Sequence, residues 1–135
     1  MGKKNTKPPK HLTSKPTWDH NHYVPLFDEM IDSPAFVALS HGAKTVYILI
    51  AKEHKGDFTG DKVICPYSTM EEHGIRTQSI PKWLCELEAL GFIRIESHGG
   101  LYKIPNEYRL LTDWQQYKDK ESAKAALLAA LKKEP

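Results

Sequence analysis

Cysteine is scarce in this chain, and its scarcity limits the ways in which the fold could be held together. Only two cysteines, Cys65 and Cys85, occur among the 135 residues, and they form no Cys-x-x-Cys pair. A disulfide framework needs a dense set of cysteines, and a cysteine-based zinc site needs them at short spacings. Two reduced thiols in a cytoplasmic protein are therefore expected.

Long apolar runs are missing as well. Apolar residues make up 40% of the chain, which is enough for a globular domain with a modest core. No run approaches the roughly 18 consecutive apolar residues that a membrane helix requires. The lysines at the N-terminus are not followed by an apolar segment, so we expect neither a signal peptide nor a membrane protein.

Sequence patterns of catalysis and metal binding are absent too. The chain contains no Walker sequence, no Gly-x-Ser-x-Gly sequence and no cluster of carboxylates. Its seven histidines are scattered, and the His-x-His pair of His20 and His22 falls in a segment expected to be disordered. We therefore predict no enzyme activity, no catalytic or metal-binding residues, no cofactor and no small-molecule substrate.

Charge is distributed unevenly behind a net value of +2. Residues 1–22 contain five lysines and one aspartate, whereas residues 23–75 contain four lysines and eight acidic residues. Because the segment 1–22 is rich in lysine and proline and almost lacks apolar residues, we expect it to be disordered. A solubilising tail and a DNA-tracking arm are equal alternatives for its role.

Serine and glycine residues mark the ends of the first predicted helices. Ser33 before Pro34 predicts a helix N-terminus, as does Ser40 before a long apolar stretch. Gly56 predicts the end of the helix that Ser40 begins. The core-facing stripe of that helix contains Val46, Tyr47, Ile50, Ala51 and His54. A helix this apolar is expected to be buried on most sides.

Two further helices are predicted on either side of a glycine turn at Gly74. Ser68 and Glu71 form a capping-box pattern, which predicts that the first of these helices has Ser68 as its N-cap. The second helix is expected to begin at residue 76 or 77 and to end at Leu90. The turn between them is expected to set the two helices at a steep angle.

The second helix of this pair has two different faces. Its apolar arc consists of Ile80, Trp83, Leu84 and Leu87, with Leu90 at the edge. Its opposite arc consists of Gln78, Lys82 and Ala89, flanked by Ser79, Cys85 and Glu86. We expect the apolar arc to face the core and the opposite arc to face solvent. Pro81 removes one backbone hydrogen bond and is expected to kink the start of the helix.

Alternating patterns predict a few short strands. One is Val63–Cys65, which Pro66 ends. Ile93 and Ile95 alternate with charged residues, which predicts a strand that turns at His-Gly-Gly into a partner strand at Leu101–Ile104. A further short strand and then an amphipathic C-terminal helix are expected after this hairpin.

The order of these elements predicts the fold class. A helix-turn-helix followed directly by a β-hairpin is the winged-helix order. We therefore predict a mainly α protein with a small β-hairpin, of the winged helix-turn-helix class. Its predicted divisions are a disordered basic tail at 1–22, a winged-helix domain at 23–115 and an amphipathic C-terminal helix at 116–135.

Three stretches of the sequence also resemble a known group of proteins. They are DSPAFVALSHGAKTVYILI, CPYSTMEEHGIRTQSIPKWLCELEALGFIRI and GGLYKIPNEYRLLTDW. They resemble winged helix-turn-helix DNA-binding proteins of bacterial plasmids, prophages and integrative elements, which include replication-initiator N-terminal domains and small regulators. The resemblance covers residues 23–115 and is strongest at LS..AK..Y and LCELEALGFI. Pro81 departs from what such helices usually carry.

The resemblance implies sequence-specific binding of double-stranded DNA and regulation of transcription or replication of a mobile element. The first turns of a helix in the major groove reach the base edges, and the wing reaches the backbone or minor groove. The expected DNA-binding residues are Arg76, Thr77, Gln78, Ser79, Lys82, Arg94, His98 and Lys103. The alternative is a winged-helix protein–protein adaptor without direct DNA readout. Homodimerisation through the C-terminal helix stays open.

Overall fold

The structure is a computed structural model that describes residues 24–54, 62–97 and 106–132. Within these ranges the chain is mainly helical, with a small three-stranded antiparallel sheet. The expectations for the tail at 1–22, for Gly56 and for the wing turn and partner strand at 98–104 lie outside the described residues. The predicted domain bounds stay a prediction.

Two of the three helices in the N-terminal half begin at a serine cap, as predicted. Helix α1 spans Asp28–Ile31, α2 spans Pro34–Ala38 and α3 spans His41–Lys52. The Ser33 hydroxyl accepts a hydrogen bond from the Phe36 N–H at 3.2 Å, and the Ser40 hydroxyl accepts one from the Ala43 N–H at 3.2 Å. Each bond satisfies a backbone donor that has no partner inside its own helix.

The helix before the Gly74 turn begins earlier than the sequence predicted. Helix α4 spans Tyr67–Glu72, and its N-cap is Pro66, with no side-chain capping bond. The predicted capping box is therefore wrong, because Ser68 already lies inside the helix. The extended backbone of Pro66 starts the helix earlier, and its carbonyl accepts from the Thr69 N–H at 3.0 Å.

The second helix of this unit begins in two stages. After Gly74, which has a φ of 90°, a 3-10 turn spans Thr77–Ser79 and leads into α5, which spans Ile80–Ala89. Pro81 stands in the first turn of α5, where a missing N–H leaves no helix bond unmade. The α-helix therefore begins later than residue 76 or 77, and the residues before it take the tighter 3-10 geometry.

Three short strands form the sheet, in the order β1-β3-β2 with both pairings antiparallel. Strand β1 spans Lys62–Ile64, one residue earlier than predicted, while β2 spans Ile93–Ser97 and β3 spans Glu107–Leu110. The short strand expected after the hairpin is thus found in β3. It is the described partner of β2, and it also pairs with β1.

Aromatic contacts join the helices to the sheet at the centre of the core. The fully buried Phe92 ring meets the Phe36 and Tyr47 rings edge-on, at centroid distances of 6.1 Å and 5.7 Å. The same ring stacks on Trp114, at 6.1 Å. Trp114 belongs to a second 3-10 turn, Asp113–Gln116. These arrangements stabilise the core beyond the burial of apolar area alone.

The C-terminal helix α6 spans Lys120–Lys132 and packs on α2 and α5. Ala123 is fully buried in this contact, and the Cys85 thiol donates to the Ala130 carbonyl at an Sγ–O distance of 3.9 Å. The Tyr117 hydroxyl, just before the helix, donates to the Ala89 carbonyl at 3.2 Å. Cys85, which contacts α6, and Ala89, which contacts Tyr117, are therefore half-buried, although the sequence pattern had placed both towards solvent.

Glu86 is the clearest departure from the sequence prediction, because it is buried rather than solvent-facing, with only 2% of its surface exposed. Its Oε1 accepts a hydrogen bond from the Ser40 N–H at 2.9 Å, and its Oε2 accepts one from the Ser40 hydroxyl at 3.0 Å. The positive end of the α3 dipole also favours a carboxylate at this place. Glu86 therefore ties α5 to the start of α3.

Trp83 also differs from the prediction, since it is only partly buried. Its indole lies against Gly42, where an added side-chain carbon would stand 2.1 Å from Trp83 Cε2. The absence of a side chain at Gly42 thus makes room for the indole and brings α3 and α5 close together at this point.

Replacing Glu86 with alanine should destabilise the fold by about 1–3 kcal/mol, because the partly buried Ser40 N–H and hydroxyl lose their acceptors. Glu72→Ala is the matched control, since Glu72 is exposed on α4 and its loss should change stability by less than about 0.5 kcal/mol. Urea denaturation measures both values. Equal stabilities of the two variants would contradict the role given to Glu86.

Candidate nucleic-acid interface

The start of α5 presents a cluster of polar side chains between two buried anchors. Ile75 and Ile80 are buried, and the Ile75 N–H donates to the Met70 carbonyl at 3.1 Å. These anchors fix both ends of the segment that crosses the surface. The polar side chains of this segment and the next turn are Arg76, Thr77, Gln78, Ser79 and Lys82, which we call the α5 cluster.

Members of the α5 cluster differ in exposure. Arg76, Gln78 and Lys82 are exposed, while Thr77 and Ser79 are half-buried. Of the five residues, only Lys82 lies in α5, while Thr77, Gln78 and Ser79 form the 3-10 turn before it and Arg76 precedes that turn. The prediction that all five occupy the first turns of one helix is thus only partly met, and the three longest side chains are the most exposed. A helix start of this kind offers hydrogen-bond donors and acceptors to a groove or to a partner surface.

No side chain of the described residues neutralises the charges of the α5 cluster. Within the described ranges, neither the Arg76 guanidinium nor the Lys82 ammonium lies within ion-pair distance of a carboxylate. Both cations are thus open to an anionic partner. The carboxylate that follows Lys82 in the sequence, Glu86, is instead buried against Ser40.

A second basic feature lies on the outer face of the sheet. Arg94 on β2 stands directly opposite Arg109 on β3, which in turn stands opposite Lys62 on β1. The next residues, Val63, Tyr108 and Ile93, point the other way and are buried. We call the three aligned cations the outer basic row.

Two of these three cations were missed by the sequence reasoning, which singled out Arg94 alone. Lys62 and Arg109 each alternate with buried neighbours, and that alternation is the signal that could have assigned them to the solvent face. Their alignment with Arg94 depends on the register of three strands. Because that register pairs residues far apart in sequence, a pattern of neighbouring residues cannot predict it.

Two glutamates neutralise most of the outer basic row. The Lys62 Nζ forms an ion pair with Glu107 Oε1 at 3.4 Å. Glu96 Oε2 is shared by two groups, since Arg94 Nε donates to it and Arg109 Nε lies 3.4 Å from it. The hydrogen bond from Arg94, together with the positive charges of Arg94 and Arg109, lowers the pKa of Glu96 although desolvation opposes the change.

The remaining predicted wing residues, His98 and Lys103, lie outside the described residues. Cys65 does not have the environment of a reactive cysteine. Burial and the nearby Glu53 charge raise the pKa of the Cys65 thiol to about 12, so this thiol stays protonated at neutral pH. Among the described residues, no three His, Cys, Asp or Glu side chains come together in a way that could hold a metal ion.

Comparison with known proteins adds no assignment. The chain matches no protein-family model, no curated protein and no solved structure. Within ranges 24–54, 62–97 and 106–132, no helix has the length and apolar character needed to cross a bilayer.

Replacing Arg94 with alanine should raise the pKa of Glu96 towards its ordinary value, and by more than Arg109→Ala does, because the Arg94 hydrogen bond is the largest cause of the lowering. A lowered folded-state pKa means that this ion pair stabilises the fold above the unfolded-state pKa, and that the stabilisation is lost as the pH falls through the folded-state pKa. A carboxyl-carbon NMR titration measures the pKa. An unchanged Glu96 titration in Arg94→Ala would show that the contact does not form in solution.

Proposed function

We propose that this protein binds double-stranded DNA sequence-specifically as a winged helix, with α5 in the major groove. The observation that carries the proposal is the α5 cluster, which follows a glycine turn and in which the exposed Arg76 and Lys82 contact no carboxylate of the described residues. The element order supports it, since α3, β1, α4 and α5 are followed by the antiparallel strands β2 and β3. This order is typical of winged helix-turn-helix proteins.

The side chains of the α5 cluster suit different parts of a duplex. Gln78 is the candidate base reader, because a glutamine amide pairs with both the N6 and N7 positions of adenine. Thr77 and Ser79 are suited to bases or phosphates, and they need only short contacts from a half-buried position. Arg76 and Lys82 would neutralise phosphates or reach guanine. Arg94 and the other wing residues would contact the DNA backbone.

The biological role that fits is regulation of transcription or replication of a bacterial or phage-like mobile element, in the cytoplasm. This part of the proposal rests on the resemblance of residues 23–115 to winged helices of such elements. The small size of the polar cluster agrees with readout of a short DNA site, one helix per groove.

A protein–protein adaptor is the second candidate, and exposed apolar side chains favour it. Phe27, Val37 and Leu128 expose 57%, 47% and 63% of their surfaces on or beside α1, α2 and α6. Exposed apolar groups of this size suit contacts with another protein, including a second copy of this chain through α6. In that case the α5 cluster would be a solvated polar face.

Gln78→Ala should weaken binding to a preferred duplex by about 1–3 kcal/mol and relax the preference at one base position. Its stability should change by less than about 0.5 kcal/mol, since Gln78 is exposed. The measurement is a titration of single-base variants of a duplex selected from random sequences. Gln116→Ala, an exposed glutamine in the 3-10 turn before α6, is the control and should bind like the parent protein.

Lys82→Ala should instead weaken binding to every duplex alike and reduce the salt dependence of the affinity, because a phosphate contact carries no base information. Lys124→Ala removes the same charge from the exposed surface of α6 and should have little effect. If Gln78→Ala and Lys82→Ala bind all duplexes as the parent does, α5 is not the reading helix. The adaptor would then be the better account.

A further inference from the structure

The outer basic row is an arrangement that stability alone does not favour. Residues directly opposite each other on neighbouring strands lie close together, and like charges in such positions repel. With strands about 4.8 Å apart, the backbone positions of Lys62, Arg109 and Arg94 fall within about 10 Å. The fold needs the inner face of the sheet to be apolar, but it places no such demand on the outer face.

Glu96 occupies an irregular position beside this row. Ile95 pairs with Tyr108 and Ser97 pairs with Glu107, so Glu96 is the extra residue of a β-bulge and has no partner across the strands. Bulges change the direction of a side chain. Here the Glu96 carboxylate meets both arginines of the row, and the two Nε groups converge on a single oxygen, Oε2.

We propose that the outer basic row is a phosphate-binding site and that Glu96 occupies it until a phosphate displaces the carboxylate. Two guanidinium groups that converge on one point can bind a phosphate oxygen as well as a carboxylate oxygen. Lys62 extends the site along the row. This inference rests on the proposed function for the source of the phosphate, which is the backbone of bound DNA.

The contact is suited to exchange, because it is held at the surface. Arg94 exposes 59% of its side chain, while Arg109 and Glu96 expose 27% and 22%, and ion pairs that solvent reaches contribute little to stability. An incoming phosphate therefore has only a weak internal competitor to displace. Bound DNA would contact the unpaired cations of the α5 cluster. At the sheet it would contact Arg94 and Arg109 once its phosphate has displaced Glu96. Glu96 thus lowers the affinity for any phosphate that reaches the sheet.

The test compares Glu96→Gln with Glu29→Gln, which removes the same charge from the exposed surface of α1. Two probes are used separately, inorganic triphosphate and a 16-base-pair duplex, and binding is followed by NMR of the Arg94 and Arg109 Nε–H signals. Glu96→Gln should bind both probes more tightly by roughly two- to tenfold, as expected from the loss of weak exposed ion pairs. Glu29→Gln should bind like the parent protein, and Arg109→Ala should bind triphosphate more weakly.

A stability measurement gives an independent readout. Without Glu96 the two arginines repel each other, so the melting temperature of Glu96→Gln should fall at low salt and recover on addition of triphosphate. A merely structural role for Glu96 would lower the melting temperature without that recovery. Thermal unfolding with and without triphosphate distinguishes the two roles.

The outcomes separate this inference from the proposed function. If triphosphate shifts the arginine signals and no duplex binds, the phosphate site stands and the DNA-binding proposal fails. If a duplex binds while both Nε–H signals stay unchanged in the parent protein and in Glu96→Gln, DNA binding stands and the inference is overturned. The absence of any response to triphosphate in both proteins would overturn it as well.

Discussion

The contact between Glu86 and Ser40 is the constraint on which the arrangement of the helices depends. One buried carboxylate accepts from both the backbone N–H and the hydroxyl of the residue that caps α3. A buried charge is costly unless it is hydrogen-bonded, and here both of its oxygens have a donor. The contact therefore favours one position of α5 relative to α3. With α5 held there, Leu84 and Leu87 enter the core, and Gln78 and Lys82 stay at the surface.

The α5 cluster and the outer basic row differ in how their charges are balanced. The cations of the α5 cluster have no carboxylate within ion-pair distance in the described part of the chain, whereas those of the outer basic row contact Glu96 and Glu107. Open cations attract an anionic partner at long range, and paired cations become available only when a competitor arrives. Under the proposed function, α5 would make the first contact and read the bases, and the sheet would contact a phosphate later.

Local sequence patterns predicted those features that depend on neighbouring residues. The caps at Ser33 and Ser40, the turn at Gly74 and the outward position of Lys82 all follow from such patterns, and the structure has each of them. The capping box failed because the extended backbone at Pro66 begins α4 before Ser68 can cap it.

Features that depend on distant residues could not be predicted in the same way. Glu86 looked like a surface residue because its donor, Ser40, is 46 positions away in the chain. The outer basic row needs the register of β1 and β2 on β3, and β3 follows β2 only after residues 98–106. Trp83 looked fully buried because its apolar arc gives no sign that the indole lies at the edge of the core, over Gly42.

The most direct test of the central claim is a map of backbone amide NMR shifts on titration with a selected duplex. If α5 reads DNA, the largest shifts should fall at residues 76–82, and smaller ones should occur on the outer face of the sheet at Arg94 and Arg109. Shifts confined to α1, α2 and the exposed face of α6, with none at the start of α5, would contradict the account and favour an adaptor.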